Sequence, residues 1–191
     1  IEGLEKFEGK GIQYMVKNPE QFRDKSIVLA GGGDSALDWT LYLSEIASKV
    51  TLIHRGSIFR GALDNAQKVA ELAEKGTIDL FLKSHLMEAS GNGHLSAVSF
   101  KNDQEDIVTV QTDYLIPLFG LSPKLGPIAD WGLELEFSAI KVNTKDFATS
   151  EAGIFAIGDI NTYPGKMKLI LSGFHEAAML MKSAFKFVYP N

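Results

Sequence analysis

An α/β protein is predicted: a parallel sheet with helices, an antiparallel β-meander, and then a partial second α/β segment. Three observations carry this. Over residues 26–82, apolar runs of strand length alternate with stretches of helical period. Three later segments, His85–Ala89, Leu95–Lys101 and Ile107–Thr112, alternate apolar and polar residues across the turn-forming breaks Gly91-Asn92-Gly93 and Asn102-Asp103-Gln104. A glycine turn, Gly31-Gly32-Gly33, lies between the first apolar run and the first helical stretch.

The elements follow in order. Residues 3–25 read as an irregular lead-in, because Gly9, Gly11 and Pro19 break any helix, with a short strand expected over Ile12–Val16. Residues 26–30 form a buried strand. A helix is expected over 34–48, where Ala36, Leu37, Trp39, Thr40, Leu43 and Ala47 recur at helical spacing. A parallel strand follows at 50–54. The next helix, 62–75, places Leu63, Ala66, Val69, Ala70 and Ala73 on one face and ends at Gly76. A third strand covers 77–82. The meander then stands in place of a crossover helix, and Asp113–Leu118 returns as an apolar strand.

Phe119-Gly120-Leu121-Ser122-Pro123 has the composition of a hinge. Beyond it come a short strand at Ile140–Val142, an apolar strand at Gly153–Asp159 ending in Gly-Asp, and a helix from about Lys168 to Val188. Two strands and a helix bury little on their own, so residues 121–191 read as part of another domain, and residues 1–120 as a domain to themselves.

The glycine turn carries chemistry. Ser26–Ala36 fits G-x-G-x-x-G/A with Gly31, Gly33 and Ala36 in the diagnostic places, between a strand and a helix. Gly31 permits a sharp turn, Gly33 lets a pyrophosphate approach the backbone, and Ala36 lets the helix pack closely on the strand. The helix N-terminus offers N–H groups and a partial positive charge to phosphate. This is a Rossmann-like pattern. Where an NAD-binding unit carries an acidic residue for the ribose 2′-OH, this chain reads His54-Arg55-Gly56-Ser57-Ile58-Phe59-Arg60. Two arginines and no carboxylate suit a 2′-phosphate, hence NADP(H) rather than NAD(H).

Composition excludes several classes. Across 191 residues the net charge is −5 and the basic residues are scattered, which gives no nucleic-acid groove. Cysteine is absent, which removes disulfides, thiolate metal sites and any intrinsic dithiol. His85, His94 and His175 have no metal-ligand spacing. No apolar run reaches the roughly 18 residues of a membrane span. Cytoplasmic localisation is expected. The first residues resemble neither a signal nor a transit peptide, and read like the middle of a longer protein.

With these residues in place, the chain resembles the thioredoxin-reductase-like ferredoxin/flavodoxin–NADP(+) reductases. The resemblance rests on Gly31–Ala36 with Asp38-Trp39, on His54-Arg55 through Phe59-Arg60, and on Gly120-Leu121-Ser122-Pro123. It continues in Leu125–Ile128, Trp131–Leu133, Gly153–Asp159 and Tyr163-Pro164-Gly165-Lys166. The C-x-x-C pair of thioredoxin reductases is missing, so no dithiol can pass electrons to thioredoxin, which favours the ferredoxin reductase branch. Only one glycine motif is present, so residues 121–191 resemble the C-terminal portion of a split FAD domain without its N-terminal half.

The resemblance implies roles. The backbone of Gly32, Gly33, Asp34 and Ser35 would hold the pyrophosphate, with the Ser35 hydroxyl as an added donor. Arg55 and Arg60 would clamp the 2′-phosphate and His54 would lie beside the adenine ribose. The family often has Arg-Arg where this chain has Arg55-Gly56, so one clamp is missing. Phe119 and Gly120 would lie along the nicotinamide. Asp159 would bond the flavin ribityl–phosphate region, and Lys168, Leu169 and Ile170 would aim backbone N–H groups at the flavin's pyrimidine edge. The intact protein would be a homodimer passing electrons between ferredoxin or flavodoxin and NADP(H) through FAD, with no catalytic side chain. A non-catalytic NADP(H)-binding module and a related flavoprotein reductase of another redox partner are the alternatives.

Overall fold

The computed structural model describes residues 1–120 and 123–189. The chain forms two compact units, Ile1–Gly120 and Leu121–Asn191. Leu121 and Ser122, the centre of the expected hinge, lie outside the described residues.

In the first unit, β1 (Ser26–Gly31), α1 (Asp34–Leu43), β2 (Lys49–Ile53), α2 (Leu63–Glu74) and β3 (Asp79–Phe81) alternate as expected. An antiparallel meander, β4 (His85–Asn92), β5 (His94–Lys101) and β6 (Ile107–Gln111), precedes β7 (Tyr114–Leu118). The parallel sheet has the order β3-β2-β1-β7. In the central strand Ile27 pairs with both Val50 and Tyr114, and Ala30 with Ile53 and Pro117.

Side chains alternate across a strand, so β1 divides its apolar residues between two cores. Ile27 and Leu29 point toward the helices and pack with Leu37, Leu43, Leu52 and Val69. Val28 and Ala30 join Ile53, Val98, Phe100 and Leu115 in a cluster shared with the meander. The meander therefore does the covering work of a helix on that face.

Three readings need correction here. The lead-in forms short 3-10 turns at Leu4–Phe7 and Pro19–Phe22, and Ile12 makes only an isolated pairing with Leu115 instead of a strand over 12–16. Its apolar residues are nevertheless anchors: Ile12 and Phe22 are fully buried. α1 ends at Leu43, five residues early, because the chain turns there to start β2. Leu63 is 84% exposed, since no element covers the first turn of α2.

The second unit contains β8 (Leu135–Glu136), β9 (Ala139–Lys141), β10 (Asn161–Thr162) and α3 (Ile170–Val188). Its sheet order is β10-β9-β8. The strand expected at Gly153–Asp159 does not form. Gly153 turns the chain with φ of 83°, and Phe155 makes one isolated pairing with Ala148. An apolar run becomes a strand only where another strand accepts its hydrogen bonds. No helix among the described residues is long and apolar enough to cross a membrane.

Candidate functional site

The glycine turn forms where β1 stops and α1 begins. A Cβ on Gly31 would collide with the Leu118 carbonyl and crowd the Ala36 Cβ, so glycine here serves the close approach of β7 and α1. This corrects the expectation that Gly31 is needed for the turn. Gly33 is different. Its φ is −96°, which any residue adopts, and a Cβ there would meet nothing within 4 Å. Gly33 leaves open space directly before α1, which lacks a side-chain cap. The Ala36 amide donates to the Gly33 carbonyl at 3.0 Å, which leaves the Asp34 and Ser35 amides facing that space with the helix's positive end.

A cavity of about 350 Å³ opens at the same edge of the sheet. Six of the expected residues line it: Gly31, Gly32, His54, Arg55, Arg60 and Phe119. Asp34 and Ser35 are exposed in the first turn of α1, and Gly120 follows Phe119 with φ of 88°. Arg55 and Arg60 are exposed, and among the described residues neither forms an ion pair with a carboxylate.

His54 has a more structural position than expected. It is buried, its Nε2 lies 3.1 Å from the Ile58 carbonyl, and its ring stacks on Phe59 at 5.1 Å. Side chains on Gly32 or Gly56 would collide with that ring. His54 is thus a wall of the cavity and a prop for the loop that follows β2, not a free rim residue.

In the second unit, a 3-10 turn over Gly158–Ile160 leaves Asp159 exposed. Beside it lies a buried polar cluster that the motifs did not reveal. The Glu176 carboxylate on α3 is fully buried. It accepts from the Gly158 amide at 2.7 Å, the Asn161 amide nitrogen at 3.0 Å and the Tyr163 hydroxyl at 2.9 Å, and it pairs with Lys166. Burial pushes its pKa up, but the Lys166 ammonium and the three further donors outweigh that and hold it below the ordinary glutamate value. Burial and the adjacent carboxylate raise the Tyr163 phenol. The sequence signal for this cluster is the lone carboxylate of the last helix, Glu176, set between Phe174-His175 and the apolar run Ala177–Met181.

The helix that follows begins later than expected. α3 starts at Ile170, and the Leu169 amide donates to the Met167 carbonyl at 3.0 Å. Leu169 therefore has no free amide to offer, and Lys168 precedes the helix. The unpartnered first-turn donors are those of Ile170, Leu171 and Ser172. Asn161 Oδ1 is buried without a hydrogen-bond partner. Among the described residues no group of three His, Cys, Asp or Glu is placed to hold a metal ion.

A parallel sheet whose central strand passes through a glycine turn into a helix, with a cavity at that turn, places the first unit among the Rossmann-like α/β proteins. The chain belongs to the pyridine nucleotide-disulphide oxidoreductase family, whose pattern matches residues 1–183. It is 53% identical over 192 residues to a ferredoxin–NADP reductase of Flavobacterium johnsoniae, a match covering all of this chain and 55% of that protein. A ferredoxin–NADP reductase of Bradyrhizobium sp. is 49% identical over 191 residues, covering all of this chain and 56% of that protein. The chain spans about half the length of these relatives. Among solved structures, thioredoxin reductase of Lactococcus lactis superposes with a TM-score of 0.85 at 27% identity, over 98% of this chain and 61% of that one.

Proposed function

We propose that residues 1–120 are the NADP(H)-binding domain, and residues 121–191 the C-terminal portion of the FAD domain, of a reductase that passes electrons between ferredoxin or flavodoxin and NADP(H). The observation that carries this reading is the cavity that joins the glycine turn to Arg55 and Arg60. The relatives named ferredoxin–NADP reductase support it, and the homodimer and cytoplasmic location belong to the same reading.

The residues fit a dinucleotide. Gly33 has neither a conformational nor a steric need for glycine within the chain, so the space it leaves suits a ligand. The amides of Gly32, Gly33, Asp34 and Ser35 would hold the pyrophosphate beside the positive end of α1. Two unpaired guanidiniums suit the doubly charged 2′-phosphate, because each presents a planar fork of donors. Phe119 and Gly120 would flank the nicotinamide. In the second unit, exposed Asp159 offers an acceptor to ribityl hydroxyls, and the uncapped start of α3 at Ile170 offers amides and a positive dipole to the flavin's pyrimidine edge. Bound together, the two cofactors supply hydride and single-electron transfer. The chain's part is to bind, orient and electrostatically favour them, which requires no protein acid or base.

A calorimetric titration of this chain with NADP(+) and NAD(+) at two salt concentrations tests the reading. Tighter NADP(+) binding that weakens with salt and falls at least about tenfold in Arg55→Ala is expected. Equal affinity for both nucleotides overturns the 2′-phosphate assignment.

A further inference from the structure

We infer that Asp34 is a specificity-determining residue, because its carboxylate ties the loop bearing Arg60 to the glycine turn and so sets the spacing between the pyrophosphate and 2′-phosphate subsites. The inference rests on the NADP(H) reading above.

A carboxylate in the first turn of a pyrophosphate-binding helix is electrostatically awkward. It is favoured by the helix dipole, yet it repels the anion that the same dipole attracts. Its geometry supplies another reason for it to be there. Asp34 Oδ1 accepts from the Ala62 amide at 2.7 Å, a bond between residues 28 apart in sequence. Two residues before Ala62, the Arg60 amide donates to the Gly32 carbonyl at 2.7 Å. Gly61, between them, sits so close that a Cβ would lie 2.7 Å from Leu37 Cδ1 and 2.9 Å from the Asp34 nitrogen. The backbone on both sides of Gly61 is thus fastened to the turn that would hold the pyrophosphate. A further bond, Asn65 Nδ2 to Asp38 Oδ1 at 2.6 Å, continues the seam into α2. At its other end the loop is held by the contacts of His54 with Ile58 and Phe59.

Asp34 therefore has two separable effects. Its charge acts on the pyrophosphate, which NADP(+) and NAD(+) share. Its hydrogen bond acts through Arg60, and so only on the 2′-phosphate. Asn keeps the acceptor and removes the charge, whereas Ala removes both.

The test is parallel titration of this chain, wild type and variants, with NADP(+) and NAD(+), reading the ratio of the two affinities. In Asp34→Ala the ratio should fall about fivefold, in the direction of Arg60→Ala, since a hydrogen bond that Asn can also accept is worth roughly that much. Asp34→Asn should bind both nucleotides more tightly and keep the wild-type ratio within about twofold. Gly61→Ala perturbs the same seam from the loop side and should lower the ratio as Asp34→Ala does. If Asp34→Ala shows no cooperative melt, the contrast between Gly61→Ala and Asp34→Asn decides. A wild-type ratio in both Asp34→Ala and Gly61→Ala, with Arg60→Ala still losing it, overturns the inference and leaves the NADP(H) reading standing. A wild type without preference overturns both, whereas a preferring wild type whose ratio Arg60→Ala leaves unchanged overturns the inference alone.

Discussion

The two units hold their functional turns in different ways. In the first, the glycine turn is set by apolar register: β1 is wholly buried from Ile27 to Ala30 and serves one core on each face. In the second, among the described residues, the buried apolar cluster comprises Leu133, Ile140 and Ala156, with Phe147 buried beside Tyr163, and the Gly158–Ile160 turn is tied to α3 by a buried carboxylate. Much of the apolar surface of α3 is exposed, including Ile170 at 83% and Phe174 at 73%. Apolar packing is non-directional and spreads its effect over many contacts, whereas a buried charge concentrates it on a few donors. The second unit's turn therefore depends on single residues in a way the first unit's does not.

The sharpest way to break this contrast is Lys166→Met, which leaves Glu176 charged, buried and without its cation. Removing one member of a buried pair costs about 3–5 kcal/mol. Hydrogen exchange should show faster amide exchange at Gly158 and through β10 and α3. An unchanged Gly158 amide would mean that the turn is held by something other than Glu176. In the first unit, Leu29→Ala should cost about 2–5 kcal/mol and lower the melting temperature without freeing any single turn selectively. A selective loss confined to the glycine turn would contradict the distributed picture.

The smallest expected effect is in pH. Because the folded Glu176 lies below its ordinary pKa, its contribution is fully present above the unfolded value and is lost as pH falls through the lowered folded value. Acidification into that window should loosen the second unit, and Glu176→Gln should remove this part of the pH dependence while starting from lower stability. Chemical denaturation across acidic pH, with exchange at Gly158 as the local probe, checks it. An identical acid slope in wild type and Glu176→Gln would remove Glu176 from the account.

How much was legible in the sequence follows the same division. The alternation of β1, α1, β2, α2 and β3, the meander and β7 were readable because each element's buried residues repeat within the element itself. Leu63 fit the helical spacing but lies exposed, since spacing says nothing about where the covering element stops. The run at Gly153–Asp159 is apolar, but its pairing is confined to one isolated bridge, Phe155 with Ala148. The cavity residues from Gly31 to Arg60 were legible because one motif and one strand end bring them together. The Glu176 cluster was not, because Gly158, Asn161, Tyr163, Lys166 and Glu176 converge only through the path of the chain. The bond from Asp34 to Ala62 joins two elements in the same illegible way.

The late place of β7 in the chain also bears on how the chain matures. β1 lies at the centre of its sheet, but one of its two neighbours is β7, whose contacts to it span 87 residues of sequence. At translation rates of roughly 5–20 residues per second, that flank of β1 waits about ten seconds for its partner after β1 is synthesised. Through that interval a strand of Ile-Val-Leu-Ala has one edge satisfied by β2 and the other open to solvent, a template for pairing with other chains. Nascent-chain vulnerability at this edge should therefore persist until Leu118 is synthesised and drop once β7 docks.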